Sequence, residues 1–497
     1  MLLRNSLWNL SGSALPSIAA LVTLPLLIGA LGIEGFGIVT LIGSVIGYFG
    51  ILDINLNAGA IKYLAEHHAS GDRKRFVETF WFGIMFYGLL GLVGALIIYF
   101  GAELLVGRFF EVSTAVYDDT ILAFQIGALG FALSQTQNYL ITVPQALQRY
   151  DRSAQSEAFF GILVNVASVG AAFAGWGISG VIAIRVAVSA LNVIYLAWLI
   201  KKFDLDMGFR WPRKDVRAAL TSFSAYAYLS KLASTLHQHG DKLIVGALAG
   251  PIAVTFYTVP AMLASRILGL TYRLSSVIYP RASAIAATER IHELRPIYLG
   301  AMRYITYINL VALGVIVLAG EEFLRRWVGE EFVVQGYPVL VLITLGLLVD
   351  SLTNIPSMVN DALGHPHVTG KFALARGIIG VGLVYVGTLT AGIVGAAVAH
   401  LVSAVLMTTL FLLFVHGRTV PISIGEALRD GLGRSFGVGL VAFGILFTLK
   451  WMIPDSLLGT IAIVSGALVT LALAGIIFIV SVDERAALLA VARRLRS

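Results

Sequence analysis

Arg185, Lys231, Arg266 and Arg273 place positive charge inside stretches of sequence that are otherwise apolar. Asp53, Asn57, Asp241 and Lys242 bring carboxylate, amide and ammonium groups into similar surroundings. Near the centre of a membrane span, Asp, Lys or Arg each cost about 2.5–3.5 kcal/mol, so such groups turn toward a protein interior or an aqueous cavity. The four cations are candidate lining for a cavity that accepts an anionic group carried on a lipid, and the guanidinium fork suits phosphate because it offers several donors. Arg266 and Arg273 fall on one helix face. Asp53 and Asn57, at i and i+4, share a face from which Asn55 points away. Asp53 or Asp241 would balance the cavity's charge, or switch by exchanging a proton or cation. Two other uses of these residues stay open: pairing between helices, and snorkelling from positions near the membrane surfaces. The second applies most to Asp241 and Lys242, near the outer end of their span.

The elements that must hold these side chains follow from composition. Of 497 residues, 58% are hydrophobic and 13% charged, against about a quarter charged in soluble domains. Thr79 to Ala102 and Ser456 to Val482 contain no charged residue, and about 20 apolar residues cross a bilayer. Backbone groups in hydrocarbon must pair internally, so each run is a helix. The chain is expected to be an all-α polytopic membrane protein of fourteen spans, among them 13–31, 38–60, 159–176, 179–200, 222–246 and 252–276. Its first apolar stretch is too long for a signal-peptide core and is expected to be a retained helix.

Charge gives the expected orientation. Connections on the side of the N-terminus, with both tails, hold 26 of the 35 Lys and Arg residues, and the opposite connections hold four. By the positive-inside rule both termini are cytoplasmic, and the net charge of +7 needs no nucleic-acid partner. The stretch from Lys62 to Thr79, with Arg73, Lys74 and Arg75, could meet anionic lipid headgroups as well as set topology.

Much familiar chemistry is excluded. There is no cysteine, hence no disulfide and no thiol chemistry. No P-loop, HExxH or credible GxSxG motif is present, so neither an enzyme nor a cofactor is expected. The nine histidines are scattered, and adjacent His67 and His68 fit a solvated loop better than a metal site.

The sequence also repeats itself. "GISGVIAI" from Gly177 returns as "GIVGAAVA" from Gly392, and "QALQRY" from Gln145 as "DALGHP" from Asp361. "LIGALG" from Leu27 matches "LIVGALAG" from Leu243, and "LVGRFF" from Leu105 matches "WVGEEF" from Trp327. One period covers six spans, an even number, so the repeats are parallel. The expected organisation is a six-helix lobe at 1–200, a cytoplasmic linker at 201–221, and a second six-helix lobe at 222–416. Two further helices and a basic cytoplasmic tail follow at 417–497.

At these motifs the chain resembles the polysaccharide-transporter branch, the Wzx-like flippases, of the multidrug/oligosaccharidyl-lipid/polysaccharide exporter superfamily. The resemblance rests on "GALGIEGFGIVTLIGSVIGYFGILDINLNAGAIKYLAEH" from Gly29 and "DKLIVGALAGPIAVTFYTV" from Asp241. "RWVGEEFVVQGYPVLVLITLG" from Arg326 and "NDALGHPHVTG" from Asn360 extend it over essentially the whole chain. Asp53, Lys62 and Tyr63 match the family's first motif, while Asn55 stands where a glycine is usual, a departure expected to alter the bending of span two. The resemblance implies transfer of undecaprenyl-diphosphate-linked oligosaccharide from the inner to the outer leaflet of a bacterial inner membrane, for surface polysaccharide, O-antigen or exopolysaccharide synthesis. It also implies a basic cavity to which Arg185, Arg266 and Arg273 would belong, with proton or cation coupling as a separate question. A polysaccharide polymerase and co-polymerase are the implied protein partners. Three other readings share parts of this pattern: a lipid II flippase, a drug/cation antiporter and a non-transporting scaffold for polysaccharide assembly.

Overall fold

The computed structural model describes residues 2–203, 208–275, 278–287, 291–450 and 457–480. Every regular element among them is helical, as a backbone without water to bond requires. The first group is α1 (Leu2–Tyr48), α2 (Leu56–Ala69), α3 (Arg73–Leu104), α4 (Tyr117–Leu140), α5 (Thr142–Ala146), α6 (Tyr150–Phe173) and α7 (Gly177–Lys202). The second is α8 (Lys214–Ser275), α9 (Ile278–Ala287), α10 (Leu294–Trp327), α11 (Glu331–Ser351), α12 (Asn354–Ala362) and α13 (Pro366–Arg418). Two helices close the chain, Arg434–Lys450 and Leu457–Ala474. The tail beyond 480 and linker residues 204–207 lie outside the described residues. Large apolar side chains such as Phe100 (76% exposed) and Val441 (65%) face outward, a surface suited to lipid.

Eleven helices among the described residues are long and apolar enough to cross a membrane. Three are too long to cross once, since 47 residues of α1 would run about 70 Å. Each of the three is broken: α1 at Gly32, α8 at Gly250, and α13 at Ala391–Gly392. Counting each broken helix as two gives fourteen apolar segments among the described residues.

The breaks fall where the sequence repeats. Gly32 (φ 73°, ψ 171°) and Gly250 (φ 77°, ψ 174°) close the matched strings from Leu27 and Leu243. Gln148 and Gly364 share positive φ in the second pair of strings, and Gly177 and Gly392 in the third. The backbone of Gly32 and Gly250 lies in a region essentially reserved for glycine. No atom lies within 4 Å of a Cβ built on Gly32, so the cost of a side chain there is in the backbone. Gly32→Ala and Gly250→Ala should each destabilise the protein by about 1–3 kcal/mol, read as a lowered thermal midpoint in detergent.

By contacts the chain divides into two compact units, Met1–Thr255 and Phe256–Ser497. In the first, α1 packs on α6, α3 on α4, and α4 and α6 on α7. Its core includes Leu56, Leu64, Phe76, Tyr87, Tyr139 and Val143. The α8 break is tied to α1 by the Thr255 hydroxyl, which donates to the Ile33 carbonyl at 2.7 Å. Where α8 begins, Arg213 donates to Asp215 at 2.6 Å, and this bond holds the Asp215 carboxyl below the usual carboxylate range. In the second unit α10 packs on α11 and α11 on α13, and Tyr298, Met302, Val359, Phe411 and Val415 form a core shared by α10, α12 and α13.

Span two is not the continuous helix that hydrophobicity predicts over 38–60. The chain leaves α1 at Tyr48, makes one 3₁₀ turn over Phe49–Leu52, passes through Asp53 in an extended conformation, and re-enters a helix at Leu56. Asp53 and Asn57 therefore do not share a helix face.

Candidate functional site

The break in span two is built around Asp53. Its Oδ1 accepts the Asn55 N–H at 2.9 Å, closing a turn two residues long. The same oxygen accepts the Tyr87 hydroxyl of α3 at 2.8 Å, and that hydroxyl accepts the Asn57 N–H at 3.1 Å. One phenol thus bridges both ends of the break. Tyr87 is fully buried and stacks on Tyr139 of α4, ring centroids 5.4 Å apart. The Tyr139 hydroxyl reaches the carbonyls of Thr79 and Phe80 at 3.1 and 3.0 Å, which locks the pair against α3. Asn55 takes a left-handed conformation (φ 59°). Glycine adopts that conformation freely, and asparagine tolerates it better than most residues. The departure from the family's usual glycine therefore keeps the bend.

Asp53 is 5% exposed and, among the described residues, carries no ion pair. Its carboxylate is held by neutral donors. The Asn57 Oδ1 is buried without a hydrogen-bond partner. A carboxylate so placed can take up a small cation with little competition from a resident charge.

The second constellation surrounds Arg185. A cavity of about 410 Å³ opens between α1, α4, α6 and α7. From α6 come Glu157, Phe160, Gly161 and Val164; from α7 come Arg185, Val188, Ser189 and Asn192. Each set recurs at three- and four-residue steps, so each is one helix face. Gln137 of α4 and Pro16 of α1 complete the wall. A Cβ on Gly161 would come within 2.5 Å of the Pro16 ring, so this glycine lets α1 seat against α6. Arg185 lies eight residues into α7, about 12 Å along its axis, deep within the apolar segment.

The polar groups of this wall are aligned by serines. Ser189 donates to Gln137 Oε1 at 3.0 Å, and Ser156 donates to Asn192 Oδ1 at 2.8 Å. With their oxygens engaged, both amides keep their NH₂ groups as donors. Among the described residues Arg185 bonds through Nε alone, to the Ser168 hydroxyl at 3.2 Å.

The other sequence-predicted residues are placed as follows. Lys231 is half-buried on α8. Lys242 turns back along its own helix, with Nζ donating to the Gln238 carbonyl at 2.7 Å and its N–H to Asp241 Oδ1 at 2.8 Å. Arg266 is exposed, and the side chain of Arg273 lies outside the described residues. Sequence reasoning missed Tyr87, Gln137, Glu157, Ser189 and Asn192. Ser189 and Asn192 carried a signal, since they follow Arg185 at helical spacing within one apolar run; Tyr87, Gln137 and Glu157 stand on other helices and carried none.

It also missed an ion pair in the second unit. Arg376, counted in the sequence among cytoplasmic charges, lies ten residues into α13 and makes two bonds to Asp350 of α11. Both side chains are largely buried, at 18% and 17% exposed.

A bundle of apolar helices with one span interrupted at Asp53 and a polar cavity opening among four others is the construction of a secondary transporter, and this is the class the fold and site define. A family model described as "Polysaccharide biosynthesis protein" matches residues 2–286, and the chain belongs to that family, the Wzx-type transporters, which are not enzymes. A "Putative O-antigen transporter" of Shigella flexneri is 24% identical over 414 residues, covering 82% of this chain and 95% of that protein. Among solved structures, the lipid II flippase MurJ in an inward closed conformation matches with TM-score 0.72 at 13% identity, over 96% of this chain and 98% of that one. An inward-facing multidrug-resistance MATE transporter of the MOP superfamily matches with TM-score 0.68 at 16% identity, over 82% and 98%. At such identities the two structures establish the shared fold.

Proposed function

We propose that this protein is a flippase that carries lipid-linked oligosaccharide from the cytoplasmic to the outer leaflet by alternating access. The observation that carries the reading is the Arg185 cavity, a donor-rich chamber deep within an apolar segment. Family membership and the O-antigen relative supply the substrate class. The carrier is an undecaprenyl-diphosphate whose chain stays in lipid while the charged head group enters the cavity. Unaided, the head group would have to shed its hydration in hydrocarbon. The protein lowers that barrier without making or breaking a covalent bond.

On this reading both termini are cytoplasmic, as the distribution of Lys and Arg favours. The repeats form two six-helix lobes, 1–200 and 222–416, joined by the 201–221 linker, with helices beyond 417 as an addition. Arg185, Lys231, Arg266 and Arg273 face the head group on its way, and a polymerase with its co-polymerase receives the product outside. Asp53 is the coupling residue, since it is a buried carboxylate held only by neutral donors; Asn57, Asp241 and Lys242 adjust its half of the protein. Purified protein in sealed vesicles tests the reading. Lipid-linked oligosaccharide should become accessible to an external glycosidase at a rate set by the protein. Equal rates in protein-free vesicles would refute it, whereas indifference to proton and cation gradients would remove coupling alone.

A further inference from the structure

The linker between the repeats carries exposed aromatic rings. Phe209 is 61% exposed and Trp211 64%, both in the run from Gly208 to Arg213 that precedes α8. This run is tied to the first unit. Phe209 meets the half-buried Trp81 of α3 edge to face, ring centroids 5.1 Å apart, and Trp211 lies 6.5 Å from Phe209. Arg213 pairs with the buried Glu78 of α3 at 3.7 Å, and Val216 and Leu220 of α8 sit in the first unit's core. Trp81 stands two residues into the charge-free stretch of α3 from Thr79 to Ala102. Contact with it sets Phe209 at the level where α3 enters lipid. Helix α7, which leads into the linker, marks the same boundary. Its exposed stripe of Leu191, Ile194 and Trp198 ends at Lys202, whose Nζ lies 4.9 Å from the Trp198 ring centre. Aromatic rings beside cations belong at headgroup depth.

The charges beside these rings are available to a ligand. Of the linker's three acids, Asp215 is taken up by Arg213 and Arg75, while Asp204 and Asp206 lie outside the described residues. Arg210, Lys214 and Arg217 are exposed and, among the described residues, pair with no acid. Water would satisfy the three charges and leave both rings wetted, whereas hydrocarbon would satisfy the rings and strand the charges. The headgroup layer of an anionic bilayer suits both. We propose that residues 208–217 form an interfacial anchor that binds anionic phospholipid. Phe209 and Trp211 lie among the upper acyl carbons, and Arg210, Lys214 and Arg217 bond to headgroup phosphates. The anchor pins the connection between the repeats to the membrane surface. It depends neither on the transported substrate nor on which side the termini face.

The test uses full-length protein in phosphatidylcholine vesicles doped with brominated lipid, since bromine quenches tryptophan only at close range. The signal of Trp211, one of seven tryptophans, is the difference between wild type and Trp211→Phe. Brominated phosphatidylglycerol should quench it at about a tenfold lower mole fraction than brominated phosphatidylcholine, as three exposed ion pairs together supply. Arg210→Gln, Lys214→Gln and Arg217→Gln combined should bring the two lipids within about twofold while the protein keeps its thermal midpoint. In wild type the preference should shrink as salt rises to about 1 M, where screening acts over about 3 Å. Equal quenching by the two lipids in wild type, or a preference that survives the triple variant, overturns headgroup binding. A Trp211 signal that neither lipid quenches overturns the anchor altogether. Quenching relieved by a trace of unbrominated undecaprenyl diphosphate also overturns it, by assigning the surface to the carrier. No transport is needed for the reading, so a failed flippase assay leaves the anchor untouched.

Discussion

Asp350→Ala should destabilise the second unit by about 3 kcal/mol, because it leaves Arg376 charged, largely buried and without its partner. The pair joins α11 to α13 within apolar segments. Removing one member costs more than removing both, since the penalty comes chiefly from the charge left behind. Asp350→Leu combined with Arg376→Leu should therefore recover most of the loss. Thermal unfolding of the three variants in detergent is the measurement. If the double variant were as unstable as Asp350→Ala, the pair would be acting through its shape rather than its charge. The double variant should also retain transport, since each member of the pair is taken up by the other.

Asp53→Ala should cost about 2–3 kcal/mol, because it strips the acceptor from both the Asn55 N–H and the buried Tyr87 hydroxyl. Tyr87→Phe removes the donor to Asp53 and the acceptor of the Asn57 N–H but leaves the turn at Asp53 closed, so it should cost about 1–2 kcal/mol. Asp53→Asn keeps an acceptor oxygen at the same place and removes the charge. It should hold the break, with a thermal midpoint close to wild type, and abolish any dependence of transport on a proton or cation gradient. A gradient response that survives in Asp53→Asn would take the coupling role away from this residue.

The membrane class, the apolar segments and the family were legible in the sequence because lipid enforces helices and because four short strings repeat in order. The breaks at Gly32 and Gly250 could be read as loops between spans, since glycine and register agree there. The break at Asp53 could not. Asn55 hides a left-handed residue behind an ordinary name, and the phenol that stabilises the bend lies on α3, with the whole of α2 between them in the chain. The cavity was half visible. Arg185 stood out because a charge in an apolar run is conspicuous, whereas Gln137, Ser189 and Asn192 are neutral and gain meaning only when α4 and α7 meet. Glu157 falls just before the 159–176 span read from hydrophobicity, so nothing in the sequence sets it in a cavity wall. The pairing of Arg376 was hidden because its partner Asp350 sits on another helix, and sequence distance says nothing about which helices touch.

The most direct measurement is leaflet-resolved quantification of undecaprenyl-diphosphate oligosaccharide in cells depleted of this protein and then restored. A flippase requires the oligosaccharide to build up in the cytoplasmic leaflet on depletion and to clear on restoration, with mass spectrometry identifying the sugars. An unchanged leaflet distribution, in cells lacking any second transporter of the same lipid, would contradict it.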